Sequence, residues 1–109
     1  MTESTSETPV LDLLASMTAD SVAASSLDPE TLMLVRIAAL VAVDASTFSY
    51  MMNLEVAGDL GVEPERVQGV LAAIAPIVGT ARVAAATGRI VKGLAIEIEI
   101  AERELDEQY

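Results

Sequence analysis

A run of apolar residues between positions 29 and 43 constrains the fold of this chain more than any other feature. Asp28-Pro29-Glu30 opens it with a helix-start signal: a capping carboxylate, a proline in the first turn and a second acid. The apolar side chains then cover the whole circumference of a helix, and only Arg36 interrupts them. A helix that is apolar on every side must be covered on every side. Since a chain of 109 residues provides little cover, we expect part of it to come from another subunit.

Similar start and stop signals recur along the rest of the chain. Thr8-Pro9 and Glu63-Pro64-Glu65 open helices, and Gly61 is a residue that commonly ends one. The sequence therefore predicts an all-α fold, a single-domain helical bundle. The expected helices run from 9 to a break near 18 and on to about 25, from 29 to about 43, from 45 to 60, from 64 to a bend marked by Pro76 and Gly79, and from near 80 toward the C-terminus.

The segment 95–101 fits two kinds of secondary structure. Apolar and acidic residues alternate from Ala95 to Ile100, which is typical of a strand. Leu94, Ile98 and Leu105 also fit one helical face, and Glu, Arg and Leu are good helix formers. We prefer a helix, because a strand would have no partner elsewhere in the sequence. The chain is then divided into a disordered N-terminal tail (1–8), a helical domain (9–94) and an acidic C-terminal helical extension (95–109).

Composition argues against several classes of function. The chain contains neither cysteine nor histidine, which removes disulfides, thiol nucleophiles, imidazole acid–base chemistry and the usual zinc and copper sites. Seventeen acids against six bases give a net charge of −11, which disfavours binding to nucleic acid or anionic lipid. No stretch approaches the roughly 18 consecutive apolar residues of a membrane span. The first eight residues carry two acids and no base, unlike a signal peptide. We therefore expect a cytoplasmic protein without cofactor or metal.

The order of these signals resembles a known family. The segments that carry the resemblance are LDPET at 27–31, GVEPERV at 61–67 and APIVG at 75–79, together with MLVR at 33–36 and SYMMN at 49–53. Over roughly Val10 to Leu94 they resemble the carboxymuconolactone decarboxylase and alkylhydroperoxidase-like family, most closely a branch common in actinobacteria. The resemblance implies an all-helical fold and ring-shaped homo-oligomers, often trimers or hexamers.

The chain departs from this family at the positions that carry its chemistry. Where peroxidase members have a C-x-x-C pair followed by a histidine, this sequence has Ser46, Ser49 and Asn53. The upstream glutamate of the peroxidases falls at or beside Met33 or Leu34, so it is missing too. A serine hydroxyl cannot run a thiol peroxide cycle, and asparagine cannot shuttle a proton as histidine does. The resemblance therefore transfers no catalytic residue to this chain.

Two groups of residues are candidates for a ligand pocket. The first is a stripe on the helix predicted from 45 to 60, with Ser46, Ser49, Tyr50, Asn53 and Ala57 at helical spacing. It fits either a wall of a small polar pocket or polar groups that cap backbone, hold water or pair across a subunit interface. We favour the second interpretation, because one helix supplies only one wall.

The second group consists of arginines. Arg36 lies in the most apolar helix, so we expect it to pair with Asp44 or Glu55, or alternatively to hold a ligand carboxylate. Arg82 belongs with Arg89 and Lys92 to a basic strip on the last helix. That strip either meets the acidic C-terminal segment of a neighbouring subunit or is a solvated face.

These observations leave three functional hypotheses. The first is a non-redox oligomer, a trimer or hexamer, with a binding or structural role and any ligand held near Ser49, Tyr50 and Asn53. The alternative is a cofactorless lyase or decarboxylase acting on a small organic acid, with Arg36 or Arg82 holding the carboxylate and Tyr50 or a carboxylic acid moving the proton. Peroxidase activity would be no more than an inherited family label.

Overall fold

The computed structural model describes residues 7–108, apart from the side chains at 95–101, 105 and 108. Five helices make up this part of the chain, and they confirm the all-α, single-domain prediction. They are α1 (Pro9–Ala24), α2 (Pro29–Ala42), α3 (Thr47–Asp59), α4 (Pro64–Val78) and α5 (Thr80–Gln108).

Among the three predicted helix starts, the one at Asp28 has a side-chain cap, whereas Thr8 and Glu63 do not cap their helices. The Asp28 carboxylate accepts the backbone N–H of Thr31 at 3.1 Å and its hydroxyl at 2.7 Å, so α2 begins on a side-chain cap. The same two bonds hold the pKa of Asp28 below its ordinary value, and the bond from the Thr31 hydroxyl has the larger effect. At the other ends, Gly61 and Gly79 adopt φ of 80° and 97°, values that favour glycine.

One local prediction was wrong and two were confirmed. Helix α1 continues through Thr18 without the predicted break, because no glycine or proline interrupts residues 10–24 and alanines favour the helix. The predicted bend is present: Pro76 lies in the last turn of α4, and Gly79 separates α4 from α5, which begins at Thr80. Residues 95–101 are helical and continue α5, as preferred over the strand. The predicted tail falls mostly on residues 1–6, which lie outside the described part.

Helix α2 lies at the centre of the core. Its residues Met33, Ile37 and Val41 are at most 2% exposed, and α3, α4 and α5 all pack against it. The other buried side chains are Leu32 of the same helix and residues of those three helices and of the turn at Val62. The outer side of α2 is not covered to the same degree, since Val35 is 52% exposed. None of the helices in the described part of the chain is long and apolar enough to cross a membrane.

Helix α1 lies outside this core. None of its residues is buried. Its link to α2 is polar: an Nη of Arg36 donates to the Thr18 carbonyl at 3.4 Å and to the Ser21 hydroxyl at 3.1 Å. The C-terminal half of α1 is thereby held to α2, while its N-terminal half carries exposed apolar side chains.

Helices α3 and α5 approach each other closely at a glycine. Gly93 is buried, and a Cβ placed there would lie 3.6 Å from the Met51 Cα and backbone N. That distance is an ordinary van der Waals contact, so a methyl group fits and a longer side chain does not. The small size of residue 93 therefore sets the spacing between these helices.

Substitutions at Gly93 test this close approach. Gly93→Ala should raise the free energy of unfolding by about 0.5–1 kcal/mol, because alanine is the better helix former. Gly93→Leu should lower it by about 1–3 kcal/mol by forcing the helices apart. The control is Gly88→Leu on the same helix, where nothing lies within 4 Å of an added Cβ. Urea unfolding measures all three, and equal losses at positions 88 and 93 would contradict the packing described.

Candidate functional site

The serines of the predicted stripe form the start of α3. Ser46 is the N-cap, and its hydroxyl oxygen accepts the backbone N–H of Ser49 at 3.3 Å. The same hydroxyl donates to the Ser49 hydroxyl at 3.2 Å. Satisfying an unpaired N–H at a helix start is the usual work of a serine in this position. Both hydroxyls are therefore engaged in the local structure of α3.

Asn53 also forms its hydrogen bond within the helix. Its Nδ2 donates to the Ser49 carbonyl at 2.8 Å, and the residue is half-buried. Further along the stripe, Tyr50 and Ala57 are at most 2% exposed. The stripe thus runs from the protein surface at Ser46 into the core, and its first three polar members bond to one another or to α3 backbone.

Tyr50 has a different environment from the rest of the stripe. Its side chain is fully buried, and its hydroxyl has no hydrogen-bond partner among the described residues. Burial raises the pKa of Tyr50, while the nearby charge of Arg89 lowers it and that of Asp44 raises it. A buried hydroxyl without a partner costs free energy, so Tyr50 differs from the polar stripe residues in being both fully buried and unpaired among the described residues.

The charges near Tyr50 belong to an ion pair that the sequence did not predict. Asp44 lies just beyond α2 with a φ of 55°, and its carboxylate accepts from the Arg89 guanidinium on α5. The predicted pairing of Arg36 with Asp44 was therefore wrong: Arg36 points from α2 toward α1, and Asp44 turns toward α5. No ion pair joins Arg36 to Glu55 in the described part.

The two predicted arginines lie in different places. Arg36 contacts α1, whereas Arg82 donates to the Ala42 carbonyl and so caps the end of α2. With Arg89 paired to Asp44, two members of the predicted basic strip make contacts inside the chain. Lys92 is exposed. The structure brings together Ser46, Ser49, Tyr50 and Asn53 on α3 but does not join them to Arg36.

A groove between α3, α4 and α5 was missed by the sequence analysis. It has a volume of about 360 Å³, and its lining is mostly aliphatic, with Gln68 and Thr87 as the polar members. Of the predicted stripe, Ala57 lines it, whereas none of the polar stripe residues and neither of the predicted arginines does. Its signal in the sequence is the i, i+3, i+4, i+7 spacing of residues 87, 90, 91 and 94, which repeats on α4. The lining residues are Leu54, Ala57, Gly58, Val62, Pro64, Val67, Gln68, Leu71, Thr87, Ile90, Val91 and Leu94.

Metal ligands are not grouped in the described part of the chain. No three acidic side chains there lie close enough to hold an ion, and the sequence has no cysteine or histidine. The chemistry available around the N-terminal half of α3 is therefore that of hydroxyls, an amide, a phenol and one Asp–Arg pair.

Comparison with known proteins identifies one similarity. The model of the carboxymuconolactone decarboxylase family matches residues 9–90, which is more than half of the chain. No curated protein and no solved structure matches significantly. The matched range runs from the start of α1 into α5, and it includes the whole α3 stripe and the Asp44–Arg89 pair.

Tyr50→Phe tests whether the buried hydroxyl lacks a partner in solution. Removing an unsatisfied group should raise the free energy of unfolding by about 1 kcal/mol. The difference should grow above pH 10: the hydroxyl pKa is raised in the folded protein, so the wild type loses stability there as the unfolded phenol ionises.

Thermal unfolding followed by circular dichroism at pH 7 and above pH 10 measures both effects. Tyr50→Leu is the control, since it removes the ring as well and should destabilise the core. A loss of about 1 kcal/mol in the phenylalanine variant would show that the hydroxyl does form a hydrogen bond.

Proposed function

The chain belongs to the carboxymuconolactone decarboxylase family, and we propose that it is a non-redox, homo-oligomeric member with a binding or structural role. We further propose that it belongs to a branch without the C-x-x-C pair, like the actinobacterial sequences that it resembles. Any ligand would be held near Ser49, Tyr50 and Asn53. The proposal rests on the hydrogen bonds of the α3 stripe and on the exposed apolar surface.

The hydrogen bonds at Ser46, Ser49 and Asn53 carry the non-redox part of the proposal. These residues stand where the resemblance expects the cysteine pair and the histidine. Here Ser46 caps the helix, the two serines bond to each other, and Asn53 bonds to the Ser49 carbonyl. Positions that carry thiol chemistry in peroxidase members are thus used to stabilise the start of a helix.

The exposed apolar surface supports the oligomeric part of the proposal. Large apolar side chains are more than 40% exposed on all five helices, with Ile77 at 88%, Val43 at 70% and Phe48 at 62%. Burial of apolar surface is worth roughly 25 cal/mol per Å², so association of copies has a strong driving force. The trimer or hexamer implied by the resemblance is the assembly that we propose.

A second candidate function has one observation in its favour. The unpartnered Tyr50 hydroxyl lies within the electrostatic influence of Asp44 and Arg89, and a phenol can act as a general acid or base. In a cofactorless lyase acting on a small organic acid, Tyr50 would move the proton. Arg82 would bind the substrate carboxylate in place of the Ala42 carbonyl. Arg36 is less suited to this role, because it already donates to Thr18 and Ser21 of α1.

A hydroperoxide assay with a thiol reductant tests the non-redox proposal. The purified wild-type protein should consume no hydroperoxide above the blank, because it has no sulfur nucleophile. The comparison is a double variant that carries both Ser46→Cys and Ser49→Cys and so supplies the two thiols that the wild type lacks. The two hydroxyls are 3.2 Å apart, so the thiols should be able to form a disulfide. Robust turnover by the wild type would contradict the proposal.

Analytical ultracentrifugation tests the assembly. At micromolar concentration we expect a species of at least three chains, because the exposed apolar surface needs cover. Raising the salt concentration should leave that species intact or strengthen it. Salt screens the repulsion between the acidic chains but does not weaken an apolar interface. A stable monomer at these concentrations would contradict the oligomeric proposal and leave the non-redox proposal untouched.

A further inference from the structure

Helix α1 carries an apolar stripe that its own chain does not cover. Val10, Leu13, Leu14 and Met17 lie at i, i+3, i+4 and i+7, and each is between 50% and 67% exposed. A helix of 16 residues is marginal in water without packing. The stripe therefore needs an apolar surface against which to pack.

The groove between α3, α4 and α5 has the length that this stripe requires. One wall of the groove consists of residues 64, 67, 68 and 71 of α4, and the other of residues 87, 90, 91 and 94 of α5. Each wall covers seven residue steps, as the α1 stripe does, which is about 10 Å along a helix axis. Ala57 and Gly58 also line the groove, and their small size allows a helix to approach closely.

Helix α1 does not fill the groove of its own chain. The lining residues come from α3, α4, α5 and the turn at Val62. Arg36 holds Thr18 and Ser21 of α1 against α2 instead. One chain therefore has both an uncovered stripe and an unmatched groove, which are two halves of a helix-in-groove contact.

We propose that α1 of one copy lies in the groove of a second copy, with Leu14 and Met17 against Leu71, Ile90 and Val91. This inference rests on the homo-oligomer proposed above and names its contact surfaces. A second copy is the favoured occupant because stripe and groove are both uncharged and of equal length, and every copy supplies one of each. The contact would cover four apolar side chains of α1 that are each at least half exposed in a single chain, together with the aliphatic lining of the groove.

Cross-linking between single-cysteine variants tests the contact directly. Since the chain has no cysteine of its own, a mixture of Leu14→Cys and Val91→Cys chains should give a covalent dimer under mild oxidation, and peptide mapping should identify the 14–91 link. The control mixture combines Ala15→Cys, on the opposite face of α1, with Ala73→Cys, on the face of α4 away from the groove. Both alanines are exposed, and we expect about tenfold less cross-linked product because their Cα atoms are too far apart.

A charge placed in the stripe tests its contribution to assembly. Leu14→Glu should weaken self-association by at least about tenfold, since a buried charge without a partner is costly, whereas Ala15→Glu should not. Circular dichroism checks that both variants are folded. The dye anilinonaphthalene sulfonate should bind more to Leu14→Glu than to Ala15→Glu or the wild type, because the groove is then uncovered.

The outcomes separate this inference from the oligomer proposal. A wild-type oligomer that shows no 14–91 link and does not respond to Leu14→Glu would overturn the α1 contact and leave the oligomer standing. A wild-type monomer would overturn both. Equal dye binding by the wild type and Leu14→Glu would mean that the groove stays open to small apolar molecules, and this too would overturn the inference.

Discussion

The need to cover α2 governs the rest of the structure. This helix is apolar around its circumference, and burial of Met33, Ile37 and Val41 requires neighbours on several sides. Helices α3, α4 and α5 supply them along one side. On the outer side, the described residues provide the contact with α1, which is made through the polar hydrogen bonds of Arg36. A single copy therefore satisfies the constraint only in part, and the exposed apolar surface follows from that shortage.

The polar residues near the start of α3 form their hydrogen bonds with one another and with the backbone of that helix. Ser46 satisfies a backbone N–H that the helix start leaves unpaired, the two serine hydroxyls bond to each other, and Asn53 bonds to the Ser49 carbonyl. Asp44 and Arg82 make comparable contacts at the end of α2, the first with Arg89 and the second with a backbone carbonyl. Only the Tyr50 hydroxyl stands apart from this pattern, which is why the enzymatic alternative depends on it.

The acidic charge and the apolar surface have opposite effects on association. A net charge of −11 makes copies repel one another at long range. An interface made of aliphatic side chains such as Leu14 and Val91 avoids this repulsion at the contact itself, since neither the stripe nor the groove carries a charge. The proposed assembly through uncharged surfaces, with the acids left in solvent, would reconcile the two properties of the chain.

The sequence by itself determined the helices and most of their ends, because these depend on residues a few positions apart. The Asp28 cap, the prolines at 29 and 64 and the glycine at 61 act within one turn, and all were predicted from their neighbours. Where a local rule was weak, as at Thr18, the prediction failed, since helix propensity outweighed it. The family resemblance likewise located the α3 stripe, although it did not show how its hydroxyls are used.

Only the tertiary structure decided which distant residues meet. Asp44 pairs with a residue 45 positions away, and Arg36 reaches back 15 and 18 positions to α1. The groove combines residues of three helices whose individual patterns look like ordinary core faces. Such contacts depend on how helices cross and on which faces remain outside, and periodicity along one helix carries no information about either.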